Sequence, residues 1–149
     1  MNRPGTSDSS FRVIDADWLQ HADAIRTVRH TVFVLEQGIP AALEWDNRDP
    51  DCRHALALLD DGSAVATGRL QPDGRLGRMA VLAGWRGRGI GRAILDQLQD
   101  QARGLQLSVL YLHAQEGTAG FYQKAGFIPR GEAFEEAGIR HIEMVRQLD

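Results

Sequence analysis

Cysteine is nearly absent from this chain: Cys52 stands alone among 149 residues, so no disulfide can form within it. An excess of positive charge is missing too. Lys and Arg number 17 against 20 Asp and Glu, a net charge of −3, which gives no general attraction to nucleic acid or to a membrane surface. No apolar stretch approaches the roughly 18 residues that a membrane-spanning helix needs. Residues Met1–Ser10 lack the pattern of a secretory signal. Repeats, linkers and low-complexity segments are also lacking. What these absences leave is one domain over residues 11–149, expected in the cytoplasm, behind a polar flexible segment at 1–10 that carries Pro4 and Gly5. Hydrophobic residues at 43% are enough for a single core.

What the chain does have is glycine in one place. From Arg78 to Arg92, apolar Met79 and Val81 read as a strand, Gly84, Gly87, Gly89 and Gly91 as a turn, and Ile90 onward as a helix. Glycine allows positive φ and close approach of a ligand to the main chain. A helix starting here aims its unpaired N–H groups and its positive dipole end into the turn. With Arg86, Arg88 and Arg92 added, the turn is a candidate seat for a pyrophosphate. It is neither Gly-x-Gly-x-x-Gly nor a P-loop, and a tight strand-to-helix connection is the plainer reading of the glycines alone.

Elsewhere the pattern gives a strand at Phe11–Ile14 and a helix capped by Asp17, with Ala22, Ile25, Val28 and Val32 at helical spacing. The helix reads as continuing toward Thr31, and an apolar run follows that ends in Glu36-Gln37-Gly38-Ile39-Pro40. Ala41–Arg53 reads as a loop rich in carboxylates (Glu44, Asp46, Asp49, Asp51), either merely solvated or suited to a cationic partner. His54–Leu59, Ala64–Leu70 and Arg75–Leu82 form a predicted meander with turns at Asp60–Ser63 and Gln71–Gly74. Ile90–Gly104 is a helix with Ile90, Ile94, Leu98 and Ala102 on its buried stripe. Leu107–Leu112 is a strand expected to be covered on both faces, Gly117–Ala125 a short helix, and Phe127–Arg130 and Ile139–Gln147 the last strands. The expected order is β-α-βββ-α-β-α-ββ, an α/β fold around a mixed sheet.

Arg86-x-x-Gly89-x-Gly91 directly after a strand resembles the acyl-CoA signature of the GNAT superfamily of N-acyltransferases, Gln/Arg-x-x-Gly-x-Gly/Ala. Gly120-Phe121-Tyr122-Gln123-Lys124-Ala125-Gly126-Phe127 is similar to a second GNAT segment, A-x-x-F-Y-x-x-x-G-F. A narrower likeness is to the ElaA-like branch. It rests on Arg29-His30-x-Val32-Phe33-Val34-x-Glu36-Gln37, on Glu44-x-Asp46, on His54 and on Gly138-Ile139-x-His141-Ile142-x-Met144. The resemblance spans Phe11 to Leu148. It implies a sheet splayed between the Arg75–Leu82 and Leu107–Leu112 strands, with acetyl-CoA as co-substrate and no metal. It also implies an amine-bearing acceptor, with neither nucleic acid nor membrane as partner; a homodimer is compatible with it. A catalytically silent acyl-CoA-binding module is the alternative.

The resemblance assigns backbone N–H groups around Met79, Ala80 and Val81 to the thioester carbonyl. It assigns the turn Arg86, Gly87, Arg88, Gly89, Ile90, Gly91 and Arg92 to the cofactor, and Tyr122 to the leaving sulfur. The acceptor's ammonium, with a reference pKa of about 10.4, must also lose a proton, at a cost of about 4.6 kcal/mol at neutral pH. Glu36, at the end of an apolar run that could raise its pKa, is the candidate base, and pairing with an arginine such as Arg29 is its structural alternative. His113 and His141 are secondary candidates.

Overall fold

The computed structural model describes residues 10–148; the flexible segment expected at 1–10 therefore falls, but for Ser10, outside the described residues. Strand β1 (Arg12–Ala16) leads into helix α1 (Trp18–Arg29), whose first turn is closed by Asp17 Oδ2 accepting the Gln20 N–H at 3.1 Å. The helix does not stop near Thr31 as expected. It widens into a π segment at His30–Glu36, in which Gln37 N–H reaches back to Val32 O at 3.1 Å. The wider turn brings both Val32 and Phe33 onto the sheet, where they pack with Val28 and Ala80.

The loop expected at 41–53 contains a single helical turn, α2 (Ala41–Glu44), and a 3₁₀ turn at Asp49–Asp51. Then come β2 (Arg53–Leu58), β3 (Ala64–Leu70), β4 (Arg75–Val81), α3 (Ile90–Gly104), β5 (Val109–Gln115), α4 (Ala119–Lys124), β6 (Ile128–Glu136) and β7 (Ile139–Gln147). The sequence of elements matches the expected order, with β6 running six residues further than expected, to Glu136, because it pairs with β7 as far as Ile139.

All the strands join one seven-stranded sheet in the order β1-β2-β3-β4-β5-β7-β6. Every pairing is antiparallel except β4 with β5. That parallel pair is joined by the α3 crossover, as chain order requires. On one face, Ile90, Ile94, Leu95, Leu98 and Ala102 of α3 are fully buried against β2, β3 and β4, with Leu110, Leu112, Tyr122 and Phe127 completing the cluster. Each buried Leu or Ile contributes about 1.5–3 kcal/mol. Helix α1 covers the other face. β5 is not covered on both faces: Leu110, Leu112 and Ala114 are buried while Tyr111, His113 and Gln115 are half-exposed. The three half-exposed side chains face a cleft.

Candidate active site

β4 and β5 touch over only two register pairs, Arg75↔Tyr111 and Leu76↔Leu112. Beyond them the strands part, and the cause lies in β4. Its pairing with β3 runs Thr67↔Ala80 and then Arg69↔Gly77, so Arg78 and Met79 together lie opposite Gly68. This is a β-bulge, and Arg78 takes a positive φ of 49° within it. Gly68 makes room: a Cβ there would lie 2.6 Å from Met79 Sδ and 2.8 Å from Ile94 Cγ2. The splay opens a cleft of about 550 Å³, walled by the π segment, α2, β4, β5 and the β6–β7 turn.

Leu82 N–H donates to Val65 O at 2.9 Å. Alternate residues of an antiparallel strand bond to the same neighbour. Ala80 N–H therefore belongs to the β3 ladder, and the main-chain groups of Val81 turn toward the splay. Arg86 Nε takes the Val81 carbonyl at 2.9 Å on that side. Of the three donors expected for the thioester carbonyl, Ala80 is thus misplaced. Its N–H faces β3 and its methyl packs against α1.

At the mouth of the splay, Gly87 and Gly89 hold φ of +78° and +83°, and a Cβ on either would meet nothing within 4 Å. Gly89 caps α3 without any side-chain bond, and the first helical hydrogen bond is Ala93 N–H to Gly89 O at 3.1 Å. The N–H groups of Ile90, Gly91 and Arg92 consequently have no carbonyl one turn back to reach. This open, glycine-lined helix start fits a pyrophosphate. The arginine side chains beside it have partners of their own. Arg92 pairs with Asp96 at 3.0 Å, and the Arg88 guanidinium lies over the Trp85 ring, 4.7 Å from its centroid.

Tyr122 stands in the wall of the same cleft, held edge-on between Phe121 and Phe127 at centroid distances of 5.0 and 6.0 Å. Burial raises its pKa, and no hydrogen bond to a described residue accompanies the shift.

Of the acidic segment's four carboxylates, Glu44, Asp46 and Asp49 are held by arginines of the chain itself, and Asp51 is exposed. Arg29 Nε donates to Glu44 Oε2 at 2.6 Å and Arg29 Nη1 to Asp49 Oδ1 at 2.7 Å. Arg69 grips both oxygens of Asp46 at 2.9 Å, and Arg78 reaches Asp46 Oδ2 at 3.2 Å and Glu44 Oε1 at 3.3 Å. Trp45 lies under the Arg29 guanidinium at 5.0 Å, and His54 Nε2 bonds Asp49 O at 2.9 Å. Burial works against ionisation of Asp46 and Asp49, yet hydrogen bonds from Arg69 and Arg29 hold both well below the usual carboxylate range. The branch-specific residues Arg29, Glu44, Asp46 and His54 therefore meet in one buried cluster. It clips the segment over the bulge and forms one wall of the cleft.

The family described as Acetyltransferase (GNAT) domain matches residues 23–148. The chain belongs to the GNAT family of acetyltransferases. The ElaA protein of Escherichia coli is 33% identical over 132 residues, covering 84% of this chain and 86% of ElaA. The ElaA crystal structure superposes with a TM-score of 0.78 at 30% identity over 92% of this chain and 98% of that one. An acyl-CoA N-acyltransferase from Pseudomonas aeruginosa gives the same TM-score and identity, over 92% of this chain and 99% of that one. A GNAT acetyltransferase from Elizabethkingia anophelis, with acetyl-CoA bound, shares the fold at 16% identity and a TM-score of 0.68, covering 93% of this chain and 98% of its own.

In this GNAT acetyltransferase, Glu36 is paired with an arginine, the structural alternative that the sequence also offered. Both its oxygens accept from Arg86, at 2.7 Å each, and those bonds lower its pKa rather than letting the apolar run raise it. The partner is Arg86, not Arg29, and Glu36 is outside the cleft lining. The same contacts, with Val81 O, engage the whole Arg86 guanidinium. Next to it, Gln37 accepts from Gln115 Nε2 at 2.8 Å. The end of the π segment therefore ties both lips of the splay, the turn after β4 through Glu36 and the end of β5 through Gln37. Arg69, Gly68 and the bulge went unread in the sequence. The one available signal was a charged residue, Arg69, inside a strand that carries no other charge.

Proposed function

We propose that the protein transfers an acetyl group from acetyl-CoA directly to a primary amine of a small molecule or peptide. The observation that carries this reading is the splay of β4 from β5 with three features gathered on it. These are main-chain groups of Val81 turned into it, the uncapped start of α3 at its mouth and Tyr122 in its wall. Acetyl-CoA supplies an acyl group already activated by a thiol leaving group. The N–H groups of Ile90, Gly91 and Arg92 hold the pyrophosphate, with help from the helix dipole. The Met79 and Val81 N–H groups serve the carbonyl oxygen, where fixed donors favour developing negative charge.

Tyr122 faces the sulfur. Even an unshifted phenol, with a pKa of about 10, is a weaker acid than a thiol near 8.5. Burial raises Tyr122 further, so its hydroxyl stays protonated and steadies the departing sulfur chiefly by hydrogen bonding. The clip through Arg29, Arg69 and Arg78 fixes the acceptor side of the cleft and excludes water there.

Thermal shift with acetyl-CoA, free CoA and longer acyl-CoAs, followed by thiol release with polyamines, aminoglycosides and lysine peptides, tests the reading. A ligand at about a hundred times its Kd adds about 2.7 kcal/mol to stability. Stabilisation by acetyl-CoA together with amine-dependent thiol release is the expected result. No shift with any acyl-CoA would sink the proposal.

A further inference from the structure

We propose that His141 is the group that takes the proton from the acceptor's ammonium, a reading that rests on the acetyl transfer proposed above and names the base within it. Two histidines border the cleft, and their ring nitrogens are engaged differently. At His113, Arg75 Nη2 lies 3.0 Å from Nδ1, and Glu143 Oε2 lies 3.3 Å from Nε2. A guanidinium only donates and a carboxylate accepts. Glu136 Oε2 also lies 3.3 Å from Nδ1, so that nitrogen has a donor and an acceptor beside it, and Nε2 has the Glu143 carboxylate. Neither nitrogen is open to a substrate.

At His141, Nδ1 lies 2.7 Å from Ile139 O. A carbonyl only accepts, so the hydrogen sits on Nδ1 and the lone pair of the neutral ring sits on Nε2. Nε2 has no partner within hydrogen-bond distance among the described residues; Glu136 Oε1 is 3.9 Å away. The ring is held by stacking on Phe134, at 6.1 Å and 23°, and lies in the cleft lining with Tyr122. Its register partner is Gln115 at the open end of β5, whose amide ties to Gln37.

Charged groups from three strands stand around the ring. From β6, Glu136 stands beside it. Glu136 is also shared with His113 of β5 at 3.3 Å and Arg75 of β4 at 3.6 Å. On β7 itself, Arg140 turns to Glu116 at 3.4 Å and Glu143 to Arg130 at 2.8 Å, so neither cation competes for Glu136. In the step, an ammonium N–H bond breaks and an Nε2–H bond forms, while the electron pair stays on the amine nitrogen, free to attack. The charge that leaves the substrate becomes imidazolium facing the Glu136 carboxylate.

Two measurements test this. First, nitrogen-15 NMR of the folded protein should show neutral His141 in the Nδ1–H form, and an Nε2–H form there overturns the proposal whatever the activity. Second, His141→Gln should keep its thermal shift with acetyl-CoA and its apparent KM for acetyl-CoA. It should also lose about 10²–10⁴-fold in kcat/KM for the amine near neutral pH. What activity is left should rise about tenfold per pH unit, because only amine already deprotonated in solution then reacts. His113→Gln should keep the wild-type shape of the profile. A His141→Gln variant with wild-type kcat/KM and profile defeats the assignment. A wild type that binds acetyl-CoA yet acetylates no amine in the panel overturns the transfer reading and this proposal with it, an outcome distinct from loss in the variant alone.

Discussion

Gly68 has no side chain, and that absence decides how β4 can run. A Cβ there would lie 2.6 Å from Met79 Sδ, 2.8 Å from Ile94 Cγ2 and 2.8 Å from Leu98 Cδ1. Met79 is flexible, but Ile94 and Leu98 are fully buried. Gly68→Ala should therefore cost about 1–3 kcal/mol, the usual penalty of overpacking, in urea unfolding. Acetyl-CoA affinity should fall as well, because the displaced neighbours carry the bulge. At Tyr122 the effect should divide the other way. Tyr122→Phe keeps the ring between Phe121 and Phe127, so stability and acetyl-CoA affinity by calorimetry should hold while kcat drops by about 10². Full turnover in that variant would return Tyr122 to the core. For Glu36, the carboxylate–guanidinium pair with Arg86 is about two-fifths exposed on each side. Exposed pairs contribute at most about 1 kcal/mol. Glu36→Gln should thus change kcat by only a few-fold and leave the pH–rate profile intact, where loss of a base would cost 10²–10⁴-fold.

Among the elements, the glycine turn and the acidic segment show opposite limits of what sequence patterns can say. The turn was legible because its geometry lies in the main chain: positive φ at Gly87 and Gly89 and an open helix start follow from local residue types. What the pattern could not show is where Arg86, Arg88 and Arg92 point, since Glu36 is fifty positions away from Arg86. The proposed seat therefore rests on N–H groups. A Val at Gly89 should accordingly weaken acetyl-CoA binding far more than Arg88→Ala, in paired calorimetric titrations; equal losses would mean side-chain capture. The segment 41–53 misled because composition resembles a solvated loop whenever the neutralising partners come from distant elements. Arg29 lies on α1, Arg69 on β3 and Arg78 on β4, fifteen or more positions from the carboxylates they hold.

For the molecule as a whole, element order and the buried stripe of α3 were readable because hydrophobic period and turn residues act locally. The bulge, the open face of β5 and the clip were not, because each depends on which strands become neighbours. The clip joins α1, β3 and β4, so its titration should register in global stability. Asp46 and Asp49 are held below the usual range in the fold. A depressed carboxylate pKa gives stability that is present above the unfolded value, about 3.9, and is lost as pH falls through the folded value. Burial pushes Glu44 up despite Arg29 and Arg78, which has the opposite sign: it favours the fold on the acid side. Burial lowers His54, so its contribution begins to fade as pH drops below about 6.5. These opposed contributions blur the pH dependence of wild-type Tm, but a difference measurement isolates one of them. Asp46→Asn removes the charge that Arg69 grips and should destabilise clearly at pH 7. Below about pH 4 Asp46 takes a proton in the unfolded chain while the fold still holds it ionised, so the gap in Tm between wild type and Asp46→Asn should narrow steadily toward pH 2. Thermal denaturation of both proteins from pH 7 to 2 reads this directly. A gap that stays constant would mean that the Asp46 charge does not hold the clip together.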